Sequence, residues 1–206
     1  MRVTPIRTPA LVDELVGRVV EGFPGRARLL VDGAPPTEPG RLADALAEAL
    51  RVAGRPTLRV AAADFLRPAS VRLEGGRTDP DELLTGWLDV SGLVREVLGP
   101  AGPDGSGRVL PRLWDSRVDR AYRAERVELP GNGVVLVAGG LLLGRGLPAE
   151  LTVHLRMSPA ALARRLDPEW HWALPAYARY DADYDPAGAD VLVLVDDPAR
   201  PALVLR

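Results

Sequence analysis

The sequence predicts an α/β fold built on a central, mostly parallel sheet. An apolar run at residues 26–31 (RARLLV) has the continuity of a strand buried on both faces. A second strand-like run occupies residues 57–63, and an amphipathic helix is predicted between the two at 41–53. The order strand, helix, strand favours a right-handed βαβ unit, in which both strands end at the same edge of the sheet.

The remaining elements follow the same pattern along the chain. A helix is predicted at residues 9–20, where apolar residues recur at helical spacing and a Gly/Pro turn follows. Residues 108–126 alternate apolar and charged side chains, which favours a two-stranded antiparallel excursion. Pro159 begins a short helix that Ser158 caps. Three more strands are predicted, at residues 134–137, 150–155 and 190–195.

Composition limits the classes of function. The 206 residues are 47% hydrophobic and 26% charged, as in an ordinary globular domain, and the formal charge of −2 gives no field that attracts nucleic acid or anionic lipid. The absence of cysteine excludes disulfides, thiolate metal sites and thiol catalysis. No apolar run approaches the roughly 18 residues of a membrane span. We therefore expect a soluble, cytoplasmic protein without nucleic-acid or membrane partners.

The segment from Leu29 to Ala53 has the outline of a strand–loop–helix phosphate site. In such a site backbone N–H groups and the helix N-terminus surround a polyphosphate, a Lys reaches the outer phosphates and a Ser/Thr hydroxyl holds Mg²⁺. The candidate phosphate-loop residues are Gly33, Thr37, Gly40 and Arg41.

The strict Gly-Lys-[Ser/Thr] chemistry is missing from this loop. Glu38 stands at the second Gly and adds a Cβ and a negative charge, while Pro39 stands at the Lys and removes both a cation and an N–H donor. Gly40 stands at the hydroxyl residue. An alignment shifted by two residues places Arg41 at the Lys, but Leu42 then offers no hydroxyl.

Five segments in order resemble one known family. They read VDG…LADALAEAL, ADFLRP, GWLDVSGL, VVLVAGGLLL and YDPAGADVLVLVDDPARP, and they span residues 9–203. The chain resembles the uridine kinase-like nucleoside kinases of actinobacteria, relatives of the uridine–cytidine kinases and phosphoribulokinases. The resemblance implies a P-loop NTPase-like three-layer fold with a shortened lid. It also implies a single domain over residues 1–206, with a substrate-side insertion at about 66–126 and a reduced lid at about 164–180.

The resemblance implies transfer of the γ-phosphate of ATP to the 5′-hydroxyl of a pyrimidine nucleoside, yet the acids for this are displaced. The family's Asp-x-Phe, whose Asp activates the sugar hydroxyl, falls on Ala63-Asp64-Phe65. Asp64 is the candidate catalytic residue if the strand ends early in an irregular turn; otherwise it caps the turn that follows. Ala138 stands where an acid assists Mg²⁺ in the family.

Other family positions imply a substrate site. The ribose-contacting Asp falls on Asp89, which is an equally good N-cap for a helix at residues 91–98. Arg67, Trp114 and Tyr122 are the further candidates for binding the nucleoside.

The residues that match the family's lid include few of its basic side chains. Its candidate residues are Arg164 and Arg165, followed by an acidic and aromatic segment at residues 167–172. That segment either offers a stacking surface for a base or partner, or anchors an irregular loop on the core. His154 and His171 lack a third ligand at metal spacing, so no metal site is predicted.

Two functions of different classes follow. The first is a catalytically impaired or inactive nucleoside kinase homologue that binds a nucleoside, a nucleotide or a protein partner, with no certain cofactor. The second is an active ATP- and Mg²⁺-dependent nucleoside kinase that uses Arg41 and Asp64 in shifted roles. A third, weaker alternative is a scaffold whose cleft has filled with side chains.

Overall fold

The predicted βαβ unit lies in the middle of a seven-stranded sheet in the computed structural model, which describes residues 2–205. Within that range the strands are β1 (Arg2–Pro5), β2 (Ala27–Gly33), β3 (Thr57–Ala61), β4 (Arg108–Val109), β5 (Trp114–Asp115), β6 (Arg120–Ala121), β7 (Val127–Glu128), β8 (Val134–Gly139), β9 (Leu151–Arg156), β10 (Val191–Leu194) and β11 (Ala202–Leu205). The sheet order is β1-β11-β10-β9-β2-β8-β3. The five strands from β10 to β3 are parallel, and β11 and β1 continue the sheet antiparallel.

Helices cover both faces of the sheet. They are α1 (Thr8–Gly22), α2 (Pro39–Val52), α3 (Ala69–Arg72), α4 (Pro80–Thr85), α5 (Val90–Leu93), α6 (Pro159–Arg165) and α7 (Leu174–Asp183). Four short 3₁₀ segments connect elements, at Pro35–Thr37, Ala62–Phe65, Pro168–Ala173 and Pro186–Gly188, and a π-helical turn at Val94–Leu98 extends α5.

Two apolar cores separate the layers because successive residues of a strand point to opposite faces. On one face Leu29 and Val31 of β2 pack with α1 and α2. On the other, Leu30 of β2 packs with Phe65 and with residues of α4, α5 and α7. The predicted three-layer, mostly parallel α/β fold is confirmed.

Several elements differ from the prediction. The second strand is shorter than expected, because the chain leaves the sheet at Ala61 and enters the 3₁₀ turn. The antiparallel excursion consists of two nested ladders, β4 with β7 and β5 with β6. The acid-rich residues after Ala178 belong to α7, which the sequence analysis missed because the acids hide its apolar face, including buried Ala176 and Tyr180.

Between Arg2 and Leu205 no helix is both long and apolar enough to cross a bilayer.

Candidate functional site

The parallel strands end at one edge of the sheet, where the candidate site lies. Gly33, Ala61 and Gly139 are the last residues of β2, β3 and β8 at this edge. Ligands of open α/β sheets bind in the crevice outside the carboxyl ends of the strands. The residues that follow these three strand ends therefore determine what the site can bind.

The loop from Gly33 to Gly40, called here the Gly33–Gly40 loop, is tightly closed on itself. The Oγ1 of Thr37 donates to the carbonyl of Ala34 at 2.8 Å, and the Thr37 side chain is buried. A Cβ at Gly33 would lie 2.3 Å from that Oγ1, so only glycine permits this closure. The hydroxyl of Thr37 is thus directed into the loop and not toward a phosphate.

Few backbone donors of this loop are free to meet an anion. Pro35, Pro36 and Pro39 have no N–H. The N–H groups of Thr37 and Glu38 donate to the carbonyls of Ala34 and Pro35 at 2.8 and 3.0 Å. Gly40, in the first turn of α2, keeps an N–H that no carbonyl of its own helix accepts.

Glu38 and Arg41 give the loop its charges. Glu38 has a left-handed backbone, with φ of +55°, at the position where the phosphate motif has its second Gly. Its carboxylate lies 3.2 Å from the guanidinium of Arg41, and both side chains are exposed. The cation available for a phosphate is therefore paired within the loop.

A cluster of buried polar side chains around Asp32 holds the end of β2, where the Gly33–Gly40 loop begins. Asp32, fully buried, accepts the N–H of Leu142 at 2.9 Å and the hydroxyl of Tyr180 at 3.0 Å, and lies 2.7 Å from Nδ1 of His154. The Tyr180 oxygen also accepts the N–H of Leu143 at 2.7 Å. Burial and, second, the Asp32 charge raise the pKa of Tyr180, so its hydroxyl stays a donor to Asp32. These bonds fix the end of β2 against the loop after β8.

A cavity of about 620 Å³, called here the apolar cavity, opens beside this loop. Its wall includes Pro35 and Pro36 of the loop, Ala63 after β3 and Ala138 at the end of β8. The remaining lining residues come from the turn after β3, from α4 and the residues after it, from the end of β8 and the loop that follows, and from the chain between α6 and α7: Ala62, Leu66, Leu83, Trp87, Leu88, Gly139, Gly140, Leu141, Arg145, Arg165, Leu166, Asp167, Trp170, Ala173 and Tyr177. The volume suits a small-molecule ligand.

The strand ends bring no carboxylate to this cavity, since the residues there are alanine and glycine. Asp167 is the carboxylate in the described lining, and it lies on the lid side, where its Oδ1 accepts the N–H of Glu169 at 3.1 Å. The polar groups that remain on the wall are mainly the guanidinium groups of Arg145 and Arg165 and the hydroxyl of Tyr177, whose pKa is raised by burial and then by Asp32.

Arg145 and Arg165 are held in different ways. Arg145 is half-buried, and burial lowers its pKa; its guanidinium donates to the carbonyls of Leu141 and Thr85 at 3.4 and 3.1 Å. Arg165 donates from Nε to the carbonyl of Asp196 at 2.9 Å and lies 3.5 Å from a carboxylate oxygen of Asp197. Both side chains therefore have fixed positions on the wall of the cavity.

Three indole rings contact one another beside the apolar cavity, and they are called here the tryptophan cluster: Trp87, Trp170 and Trp172. The ring centroids of Trp170 and Trp172 lie 5.5 Å apart, and those of Trp87 lie 6.2 and 5.9 Å from the other two. The guanidinium carbon of Arg72 lies 5.2 Å from the Trp87 ring centroid. The segment at residues 167–172 thus anchors a loop on the core and also presents Trp170 to the cavity.

A second cavity, of about 510 Å³ and called here the outer cavity, lies on the other side of the Gly33–Gly40 loop. Thr37, Glu38 and Arg41 line it, together with the segment after β10. Arg165 lines both cavities. The loop therefore separates two cavities that share one arginine.

Comparisons with known proteins agree with this architecture. No protein-family model matches the chain, and no curated protein matches it by sequence. The chain superposes on a possible uridine kinase from Bacillus stearothermophilus with a TM-score of 0.71 and 19% identity, over 88% of this chain and 96% of that chain. A candidate fructose transport system kinase from a Silicibacter species gives 0.62 and 25%, over 89% and 92%. A D-glycerate 3-kinase from Cryptococcus neoformans gives 0.51 and 16%, over 86% and 81%.

This chain has a P-loop kinase-like fold. The coverage of both chains is high, so the likeness concerns the whole architecture and not one motif. At these low identities the likeness shows the fold alone, and the chemistry of the site depends on the residues of this chain.

In this P-loop kinase-like fold, Asp64 is not among the described residues that line the apolar cavity. It lies in the irregular turn that its catalytic role requires, but its Oδ1 accepts the hydroxyl of Tyr122 at 3.2 Å and its Oδ2 lies 3.4 Å from Nε of Arg112. Burial and the charge of Asp64 raise the pKa of Tyr122. Asp64 and Tyr122 therefore connect the turn after β3 to the antiparallel excursion. The catalytic role of Asp64 and the nucleoside-binding role of Tyr122 stay predictions.

The other predicted substrate residues are dispersed. Asp89 caps α5, accepting the N–H of Gly92 at 2.8 Å. Trp114 donates from Nε1 to Asp119 at 3.0 Å within the excursion. Arg67 donates its backbone N–H to the carbonyl of Trp87 at 2.8 Å. None of these three belongs to the described lining of the apolar cavity.

The lid prediction separates into two outcomes. Arg165 lines both cavities, whereas the side chain of Arg164 is exposed and outside their described linings. Sequence reasoning missed Arg145 and Asp32 as site residues. The one available signal for Asp32 was its position just before the end of β2, at the sheet edge where ligands bind, whereas Arg145 lies well past the end of β8 and has no local signal. Among the residues that the structure describes, no group of His, Asp and Glu could hold a metal ion.

Proposed function

We propose that this protein is a nucleoside kinase homologue that binds a nucleoside or nucleotide in the apolar cavity and transfers phosphate very poorly. The observation that carries the proposal is the lining of the cavity at the strand ends, where Ala63 and Ala138 supply no carboxylate. A general base must lie within hydrogen-bond reach of the hydroxyl that it activates. Asp64 is instead bonded to Tyr122 and close to Arg112.

The phosphate side supports the same proposal. Phosphoryl transfer depends on positioned cations and metal that neutralise charge on the transferred group. All 26 basic residues of the chain are arginines, so no lysine from elsewhere can replace the missing one, and Arg41 is paired with Glu38. The Gly33–Gly40 loop offers prolines and internally bonded amides where phosphate oxygens need donors.

The test is transfer of label from γ-³²P-ATP, with Mg²⁺, to uridine and cytidine. We expect a turnover below about one-thousandth of the 1–100 s⁻¹ usual for kinases, because several charge-neutralising groups are absent together. A nucleoside kinase assayed in parallel gives the reference rate. An ordinary turnover would overturn the proposal, and its loss in both Asp64→Asn and Arg41→Gln would establish the active-kinase alternative.

A further inference from the structure

We infer that the apolar cavity recognises a planar aromatic ring joined to an anionic group, as in a nucleoside monophosphate, in preference to the neutral nucleoside. The inference rests on the proposed function, because it narrows the ligand of the same cavity. It depends on two features of the cavity's lining: the indole rings of Trp87 and Trp170, and the half-buried Arg145.

The ring is recognised by aromatic surface. Trp87 and Trp170 line the apolar cavity with Leu66, Leu83 and Pro36. Aromatic side chains bind a second ring by stacking or edge contact, whatever its hydrogen-bonding groups. Trp87 is 9% exposed, and its Nε1–H is buried without an acceptor among the described residues. Because that N–H is inaccessible to a water-sized molecule, ring contact with the ligand comes mainly from Trp170, which is 39% exposed.

The anion is recognised by Arg145. A guanidinium has five N–H donors, and two carbonyl contacts, to Leu141 and Thr85, leave others available. Within residues 2–205 the structure gives Arg145 no ion pair, although it is half-buried and burial lowers its pKa. A cation withdrawn from water without a counter-ion is unfavourable, and a ligand anion relieves this.

A phosphate monoester fits this position better than a single carboxylate does. Arg165 lines the same cavity, and its bonds to the segment after β10 hold it in place. Arg145, together with the N–H groups that Arg165 has left after its contacts with Asp196 and Asp197, matches the several oxygens and the charge of about −1.5 to −2 that a phosphate monoester carries near pH 7. The phosphate is thus bound by the cavity's arginines and not by the Gly33–Gly40 loop.

Calorimetric titration of the full chain tests the inference with four probes: uridine 5′-monophosphate, uridine, inorganic phosphate and indole-3-acetate. We expect the monophosphate to bind at least about tenfold more tightly than uridine at low salt, and the difference to shrink as salt screens the charges. Phosphate alone should bind weakly because it makes no ring contact.

Variants assign the effect to the arginine. Arg145→Gln should lower the affinity for the monophosphate by about tenfold and leave the affinity for uridine unchanged, since only a charge-assisted contact is removed. The matched control is Arg179→Gln, which removes an arginine that is exposed on α7 and paired with Asp81. Circular dichroism and the unfolding midpoint establish that both variants fold.

Each outcome separates the two hypotheses. Equal affinity for uridine and its monophosphate, measured on the unaltered protein, overturns this inference and leaves the proposed function intact. Binding of indole-3-acetate as tight as that of the monophosphate overturns the choice of phosphate. Equal losses in Arg145→Gln and Arg179→Gln overturn the role of Arg145. If neither uridine nor the monophosphate binds, the inference fails, and the label-transfer assay still decides independently whether the protein is a kinase.

Discussion

Glu38 has a backbone conformation typical of glycine, at a position that the sequence aligns with a glycine of the phosphate motif. Its φ of +55° is the left-handed conformation that glycine adopts without steric penalty. The carboxylate contacts Arg41 at the surface, where an ion pair contributes little. The side chain therefore strains the backbone, adds a negative charge and pairs with Arg41. None of these three effects favours phosphate binding.

The first prediction concerns this strain. Glu38→Gly should stabilise the protein by about 0.5–1 kcal/mol, because the relief of left-handed strain exceeds the extra chain entropy of glycine in the unfolded state. Glu38→Ala is the matched control, since it removes the charge and keeps the strained Cβ, and it should change stability by less than about 0.5 kcal/mol. Urea unfolding measures both. A destabilised glycine variant would show that the side chain, and not the backbone, determines stability here.

Arg145 and Asp64 show the limit of prediction at this scale. Asp64 was recognised by its position in a motif, but the direction of its side chain depends on Tyr122 and Arg112, which lie about fifty residues away. Arg145 has no motif, and its place on the cavity wall depends on packing against Thr85 and Leu141. Sequence spacing fixes which residues follow a strand end, whereas long-range contacts fix where their side chains point.

At the scale of elements, the start of α5 decides between two interpretations of Asp89. The side chain accepts the N–H of Gly92, and its backbone N–H donates to the carbonyl of Phe65 at 2.9 Å. These contacts connect α5 to the turn that carries Asp64. A role as helix cap accounts for both the residue type and its position.

The second prediction follows from this cap. Asp89→Ala should lower the free energy of unfolding by about 1 kcal/mol, and Asp89→Asn by a few tenths, because asparagine also caps helices. Neither variant should change the affinity for uridine 5′-monophosphate by more than about twofold, since Asp89 lies outside the lining of the apolar cavity. Urea unfolding and titration measure the two effects. A large loss of affinity with unchanged stability would instead favour the ribose contact that the family resemblance implies.

Element prediction succeeded where periodicity was long and failed where it was short. The unit from β2 to β3 was predicted because α2 has a continuous apolar face and β2 a continuous apolar run. α7 was missed because the aspartates after Ala178 hide the helical spacing of its buried residues, Ala176 and Tyr180. The pairing of β1 with β11 joins the two ends of the sequence, a contact that no local pattern specifies.

At the scale of the whole molecule, the parallel strands end at one edge of the sheet. The residues at these strand ends and in the Gly33–Gly40 loop are mainly alanine, glycine and proline. The sheet, the flanking helices and the two cavities all follow from apolar patterning, which tolerates many substitutions. The phosphate and acid positions depend on single residues. Architecture and chemistry can therefore diverge, and the same fold hosts several activities or none.

The last prediction adds the groups of the phosphate motif to the loop. The triple variant Glu38→Gly, Pro39→Lys and Gly40→Thr gives the loop a flexible glycine, a cation and a hydroxyl. A Cβ at position 40 would lie 3.2 Å from Nη2 of Arg59, the far end of a long side chain bonded to Asp44, so the guanidinium must shift by a few tenths of an ångström to admit it. We expect the affinity for ATP·Mg²⁺ to rise at least about tenfold over the unaltered protein, and to depend on Mg²⁺ through the new hydroxyl.

Calorimetry measures the affinity, and Glu38→Gly alone is the matched control because it frees the backbone without adding the cation. If the proposed function holds, transfer of label should stay very slow in the triple variant, since Ala63 still offers no base, and Ala63→Asp in that background is the addition expected to raise it. If the unaltered protein already binds ATP·Mg²⁺ as tightly as the triple variant, the loop is a working phosphate site and its prolines are compatible with that role.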